Sequence, residues 1–109
     1  MQRLFSLIGI LLSTHMVCIA QTATTWEHAL EQGQALKKIK IVHEHLQALP
    51  DIFNQFPNLE EVDFSNNRIQ HLPPSFYTCK KLKVINLFNN QVQVISDSIA
   101  AFQELEYIS

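Results

Sequence analysis

The sequence predicts an α/β solenoid in which short parallel strands stack side by side, while short helical or irregular segments return the chain on the opposite side. The first observation is a frame of apolar residues and one asparagine that recurs after 23 residues. Its members are Leu59, Val62, Phe64, Asn67, Ile69 and Leu72, and then Leu82, Ile85, Leu87, Asn90, Val92 and Ile95. The second observation is the alternation of apolar and polar residues within the frame, which is typical of a strand with one buried face. A fixed period of this size indicates stacked repeats.

The same frame also begins at Leu36, which lies 23 residues before Leu59. Its apolar positions are Leu36, Ile39, Ile41, Leu46 and Leu49. We therefore predict leucine-spaced repeats at residues 36–58, 59–81 and 82–104, with a partial repeat at 105–109 that begins with Leu105 and Ile108. A single repeat buries too little apolar surface to fold alone, so the repeats must stack.

The first repeat diverges at one position, because Glu44 stands where the next repeats have Asn67 and Asn90. An asparagine amide can both donate to and accept from backbone groups, whereas an ionised carboxylate can only accept. We therefore expect a looser first turn, with Glu44 directed toward solvent.

After each strand the chain passes a Leu-Pro or Ile-Ser step, as at Leu49-Pro50, Leu72-Pro73 and Ile95-Ser96. Proline is tolerated at the first position of a helix, so about one helical turn is expected on the outer side. The outer segments are predicted to bury three pairs of side chains, Phe53 and Phe56, Phe76 and Cys79, and Ile99 and Phe102. In this register Cys79 is a small core residue and not a nucleophile.

Residues 1–20 have the features of a secretory signal peptide. Arg3 precedes an almost wholly apolar run from residue 4 to 12, and small residues lead to a cleavage site after Ala20. The alternatives are a transmembrane anchor, which polar residues 13–15 disfavour, and a lipid attached to Cys18, which lacks a small residue before it. The sequence therefore predicts export, to a secreted, periplasmic or cell-surface location. Cleavage would leave Cys79 as the one cysteine and exclude an internal disulfide.

Residues 21–35 are predicted to form a linker and a helix that caps the first edge of the solenoid. Thr24 and Glu27 have the spacing of a capping box. Trp26, Ala29 and Leu30 form an apolar stripe, and Gly33 is suited to end the helix.

The charge balance argues against nucleic acid as a ligand. Removing residues 1–20 leaves seven Lys or Arg residues against ten Asp or Glu residues, a formal charge of −3. Lys37, Lys38 and Lys40 are followed by acidic residues one repeat later, so no basic stripe remains to neutralise phosphates.

The frame resembles the leucine-rich repeat family in its 23-residue form, as found in short exported bacterial proteins, over residues 36–109. Glu44 and Ser96 depart from the family pattern. The resemblance implies a curved α/β solenoid with a short parallel sheet on its concave face and short helical or irregular segments on its convex face. It also implies a non-catalytic role in binding other proteins, without naming the partner.

Outward strand positions are the candidate partner-binding residues. The apolar and polar candidates are Val84, Asn86, Phe88 and Tyr107, and the charged ones are Lys38, Lys40, Glu61 and Asp63. Outward aromatic groups match the composition of interface anchors. For the charged set, a solvated ladder between neighbouring strands is the alternative interpretation.

A second hypothesis is structural. The partial repeat ends in mid-strand, so the sequence is either an N-terminal fragment of a longer repeat protein or a chain that self-associates through its C-terminal edge strand. We expect no enzyme activity and no cofactor. His43 and His45 flank Glu44 but have no third partner at a fixed spacing, so a metal site is not expected.

Overall fold

The computed structural model describes residues 21–93 and 95–109, and the predicted signal peptide at residues 1–20 lies outside this part. The described chain begins with a strand and a helix and then alternates strands with 3₁₀ helices. Its strands are β1 (Thr22–Ala23), β2 (Lys38–Lys40), β3 (Glu61–Asp63), β4 (Val84–Asn86) and β5 (Tyr107–Ile108). Its helices are α1 (Trp26–Gln32) and the 3₁₀ helices Gly33–Ala35, Phe53–Gln55, Pro74–Thr78 and Asp97–Ala101.

The strands form one parallel sheet with the order β1-β2-β3-β4-β5. Lys38 pairs with Glu61, Glu61 pairs with Val84, and Val84 pairs with Tyr107, so neighbouring strands advance by 23 residues from β2 to β5. The parallel sheet and the short outer helices confirm the predicted solenoid. The division into repeats at 36–58, 59–81 and 82–104 remains our own interpretation of this register.

Strand β1 lies in a segment that the sequence predicted to be a linker. Ala23 is fully buried and pairs with Ile39. The backbone N–H groups of Lys37 and Lys38 both donate to the carbonyl of Gln21 at 3.0 Å. The sheet therefore begins one strand earlier than predicted. A strand of two residues is too short to show an alternating pattern, which is why the sequence did not reveal it.

Helix α1 begins one residue later than the capping-box pattern predicted. Thr25 is the N-cap residue, and its hydroxyl accepts a hydrogen bond from the backbone N–H of His28 at 3.1 Å. The predicted pairing of Thr24 with Glu27 is wrong, because the position three residues after the true cap is His28, which has no carboxylate. The predicted end is correct. Gly33 follows the helix with a positive φ of 51°, and its N–H donates to the Ala29 carbonyl.

The buried stripe of α1 is narrower than predicted. Ala29 is fully buried, and Trp26 packs on the core with its ring 5.8 Å from Phe53 and 5.7 Å from Phe64. Leu30, however, is 43% exposed. The helix therefore covers the first edge of the core mainly through Trp26 and Ala29.

The outer segments bury the side chains that the sequence predicted. Phe53, Phe56, Phe76 and Cys79 are fully inaccessible, and Phe102 is nearly so. Ile99 is partly buried and packs against the same core. The Phe76 ring lies 5.1 Å from Phe53 and 5.7 Å from Phe102, each pair in an edge-to-face arrangement. Aromatic packing thus joins the successive 3₁₀ helices.

Asn67 binds the backbones of two successive repeats. Its amide nitrogen donates to the carbonyls of Ile41 at 2.8 Å and Phe64 at 2.9 Å. Its oxygen accepts from the N–H groups of Glu44 at 3.0 Å and Leu46 at 3.1 Å. Through these bonds, an asparagine of the second repeat binds the turn of the first repeat. The backbone groups of that turn therefore have partners, although the first repeat has Glu44 at its own asparagine position.

Asn90 acts in the same way one repeat later. It donates to the carbonyls of Phe64 at 2.8 Å and Leu87 at 3.0 Å, and it accepts from the N–H of Ile69 at 3.0 Å. Glu44, by contrast, is exposed, as predicted. Its turn also differs in backbone shape, because His45 there has a positive φ of 56°.

Replacing Asn67 with alanine is expected to lower the free energy of unfolding by about 2 to 4 kcal/mol, because buried carbonyl and N–H groups lose their partner. Urea unfolding followed by circular dichroism measures the change. Asn54→Ala is the matched control, since Asn54 is exposed on a 3₁₀ helix and should change stability by no more than about 0.5 kcal/mol. Equal effects of the two substitutions would contradict the role assigned to Asn67.

The thiol of Cys79 is expected to react slowly while the protein is folded. Burial raises its pKa to about 12, and its Sγ donates to the Phe53 carbonyl at 3.3 Å. The reactive thiolate is therefore scarce at pH 8. With Cys18→Ser as the background, Ellman's reagent should label Cys79 about 1000-fold more slowly in the native protein than in guanidinium, since raising its pKa from 9.0 to about 12 lowers the thiolate fraction by about that factor.

The control for this labelling is Gln103→Cys in a Cys18→Ser, Cys79→Ala background, because Gln103 is exposed. That thiol should react at nearly the same rate in the folded and unfolded protein. Fast native labelling of Cys79 would mean that the outer segment is packed in another register.

Candidate functional site

The candidate site is the surface made by strand side chains that point away from the core, which we call the sheet face. The structure brings all the predicted partner-binding residues onto it. One row across the strands holds Lys38, Glu61, Val84 and Tyr107. A second row holds Lys40, Asp63 and Asn86, and Phe88 follows two residues after Asn86.

Two aromatic side chains are prominent on the sheet face. Phe88 is 63% exposed and Tyr107 is 53% exposed, whereas Val84 beside Tyr107 is half-buried. The backbone at Phe88 is nevertheless held on both sides. Its N–H donates to the Asn86 side-chain oxygen at 3.0 Å, and its carbonyl accepts from the N–H of Asn66 at 2.8 Å. The fold therefore presents an exposed ring from a fixed backbone.

The charged residues of β2 and β3 lie in the predicted register. Lys38 is opposite Glu61 and Lys40 is opposite Asp63. Within residues 21–93 and 95–109, however, neither pair comes within 4.0 Å to form an ion pair. The lysines and acids are thus next to each other on adjacent strands, as predicted, but they do not form ion pairs.

Ion pairs form instead between side chains that lie one position earlier in each repeat. Glu60 contacts Lys37 at 3.5 Å and Lys83 at 3.7 Å through its two carboxylate oxygens. All three side chains are partly exposed, so each pair contributes about 0 to 1 kcal/mol. The sequence already placed an acidic residue one repeat after Lys37, but we did not predict ion pairs from the 23-residue steps that join Lys37, Glu60 and Lys83.

Two of the predicted binding residues also close the ends of their strands. One carboxylate oxygen of Asp63 accepts from the N–H of Ser65 at 3.1 Å and from its hydroxyl at 2.7 Å. Asn86 makes the equivalent bond to the N–H of Phe88. Side-chain bonds to the backbone two residues on are characteristic of Asp and Asn. These residues therefore have a structural role as well as a place on the sheet face.

A ladder of polar side chains, which we did not predict from the sequence, borders the sheet face beyond the strand ends. The Asn89 amide donates to the Asn66 side-chain oxygen at 2.9 Å, and the Asn66 amide lies 3.3 Å from the Nε2 atom of His43. All three residues have φ between 57° and 60°, a left-handed conformation in which asparagine and histidine are more common than most residues. Their shared position in the 23-residue frame was the available signal.

The two groups with shifted pKa values lie away from the sheet face. Hydrogen bonds from the hydroxyl and the backbone N–H of Ser75 lower the pKa of Asp51, which lies just before a 3₁₀ helix. Burial raises the pKa of Cys79 in the core, as described above. In the part of the chain that the structure describes, no cluster of three or more His, Cys, Asp or Glu residues could hold a metal ion. Nor do the described residues include a helix long and apolar enough to cross a membrane.

Comparisons with known proteins agree with this geometry. The leucine rich repeat family model matches residues 34–92 and, in a second match, residues 57–109. Fourteen chains of solved structures are similar, including a leucine-rich repeat protein of Leptospira interrogans. That structure is 25% identical, with a TM-score of 0.73, over 81% of this chain and 22% of the other. The present chain thus spans about a fifth of that protein. No curated protein matches.

Leucine-rich repeat domains generally bind other proteins and typically lack enzyme activity. The family match covers more than half of the sequence, and the parallel sheet with short outer helices is the corresponding fold. The chain belongs to the leucine-rich repeat family.

Proposed function

We propose that this chain is a non-catalytic binding module whose sheet face contacts another protein. The observation that carries the proposal is the exposure of Phe88 and Tyr107 on one face of the sheet. Exposed rings gain nothing from water, and aromatic side chains dominate the binding energy of many protein interfaces. The general role of leucine-rich repeat domains supports the same conclusion.

The anchoring residues of this interface are Val84, Phe88 and Tyr107. Because its backbone is bonded to Asn86 and Asn66, Phe88 loses little backbone freedom when a partner binds. Asn86 retains its amide nitrogen for a partner, since its oxygen is the atom that bonds to Phe88. The charged residues of β2 and β3 then form the polar part of the same surface.

A binding role is favoured over catalysis by the position of the perturbed groups. Asp51 and Cys79, whose pKa values are shifted, belong to the outer segments and the core and not to the sheet face. The sheet face offers exposed and half-buried polar groups on a regular strand surface. Such a surface suits recognition of another protein better than a reaction.

Export is part of the proposal. The charged start, apolar run and small residues of positions 1–20 support cleavage after Ala20 and a secreted, periplasmic or cell-surface location. Residues 21–35 would then begin the mature chain as its N-terminal cap. Mass spectrometry of the exported protein tests this point directly.

Site-specific photocrosslinking tests the binding face. The photoreactive analogue p-benzoylphenylalanine at position 88 or 107, in cells of the source organism, should give an adduct with the same partner protein, because both rings lie on the sheet face. The control is the analogue at Asn54 on a 3₁₀ helix, which should not give that adduct. Equal adducts at all three positions would contradict the proposal, and an adduct with a second copy of the chain would favour self-association instead.

The double variant Phe88→Ala, Tyr107→Ala is expected to bind the crosslinked partner at least about 30-fold more weakly, since truncation of an interface anchor costs about 2 kcal/mol or more. Leu30→Ala is the matched control, because Leu30 is an exposed apolar residue on α1 and not on the sheet face. Isothermal titration calorimetry measures the affinity of each variant for the partner. Unchanged affinity in a folded double variant would exclude the two rings as anchors.

A further inference from the structure

The sheet face divides into three zones that follow the order of the strands. The basic zone is Lys38 and Lys40 on β2, and the acidic zone is Glu61 and Asp63 on β3. The apolar zone consists of Val84 on β4, Tyr107 on β5 and Phe88, which lies two residues beyond the end of β4. Each zone is next to the following one, because the strands pair in sequence order.

The charges of the first two zones are available to a partner. In the described residues, the ion pairs are formed by Glu60 with Lys37 and Lys83, one position away from the sheet-face rows. Lys38 and Glu61 are paired in register but do not meet within 4.0 Å. A partner that approaches the sheet face can therefore place an opposite charge against each zone.

From this charge order we infer that the sheet face binds an extended segment of another protein that crosses the strands and carries an acidic, a basic and an apolar side chain in that spatial order. The inference rests on the proposed function and specifies its partner. The acidic side chain lies over the basic zone, the basic side chain over the acidic zone, and the apolar side chain between Val84 and Tyr107. Charge complementarity of this kind sets the register and suppresses wrong partners.

The spacing of the strands fixes the spacing within the segment. Parallel strands lie about 4.8 Å apart, so Val84 on β4 and Tyr107 on β5 are roughly 10 to 14 Å from β2. An extended chain advances about 3.3 Å per residue and directs every second side chain to the same side. Side chains at positions i, i+2 and i+4 span about 13 Å, which matches the three zones. The expected motif is thus acidic-x-basic-x-apolar, in either chain direction.

This inference is tested with a library of random 12-residue peptides displayed on phage, from which binders to the full chain are selected. In the enriched peptides, a basic residue should have an acidic residue two positions away on one side and an apolar residue two positions away on the other side. The charge-swapped variant Lys38→Glu, Glu61→Lys keeps the net charge, and the selected peptides should bind it at least tenfold more weakly. Selection on that variant should reverse the order of acidic and basic residues.

The matched control is Lys81→Glu, Glu104→Lys, which exchanges exposed charges in the same way outside the strands and should leave peptide binding unchanged. Glu61→Gln, which removes one charge, gives a second and milder measurement, with an expected loss of about threefold. Circular dichroism checks that each variant is folded. Peptides that lose binding with Phe88→Ala but not with the charge swap would overturn the inference and leave the proposed function standing.

Peptides insensitive to both changes would overturn the inference and count against the sheet face as a binding surface. A library that gives no binder would overturn the inference alone, because photocrosslinking at positions 88 and 107 decides the proposed function independently.

Discussion

The structure depends on a buried asparagine that hydrogen-bonds to the backbone of its own repeat and of the repeat before it. Asn67 binds carbonyls at Ile41 and Phe64 and N–H groups at Glu44 and Leu46. A buried backbone group without a hydrogen-bond partner lowers the free energy of unfolding. These bonds therefore fix the position of each strand end relative to the neighbouring strand. The rows of the sheet face are aligned because the turns beside them are tied together in this way.

Packing on the other side of the strands follows from the same alignment. Because successive repeats are in register, Phe53, Phe76 and Phe102 come close enough for edge-to-face contacts. Trp26 extends this aromatic layer to the first edge, where α1 covers it. Each layer gains its burial from its neighbours, so the stability of a repeat belongs to the stack and not to the repeat by itself.

On the sheet face, residues that stabilise the strand ends also belong to the proposed binding surface. Asp63 and Asn86 each use one oxygen to accept a hydrogen bond at a strand end, and they also lie on the surface that we propose binds a partner. Phe88 is the clearest case, since its backbone is bonded on both sides while its ring is exposed. A surface whose shape is set by backbone bonds can carry different side chains without a change of fold, which is the reason for placing the proposed binding function in the outward positions.

The sequence by itself determined the parallel solenoid, the buried outer pairs and the outward residues, because a 23-residue period and strand alternation both survive in the amino-acid order. It did not reveal β1, since two residues show no period, and it placed the cap of α1 at Thr24 although the hydrogen bond comes from Thr25. The tertiary structure alone decided which charges meet. Lys38 and Glu61 are adjacent in register, yet the ion pairs form at Glu60, because side-chain direction and length, which no spacing rule specifies, determine whether neighbouring charges come into contact.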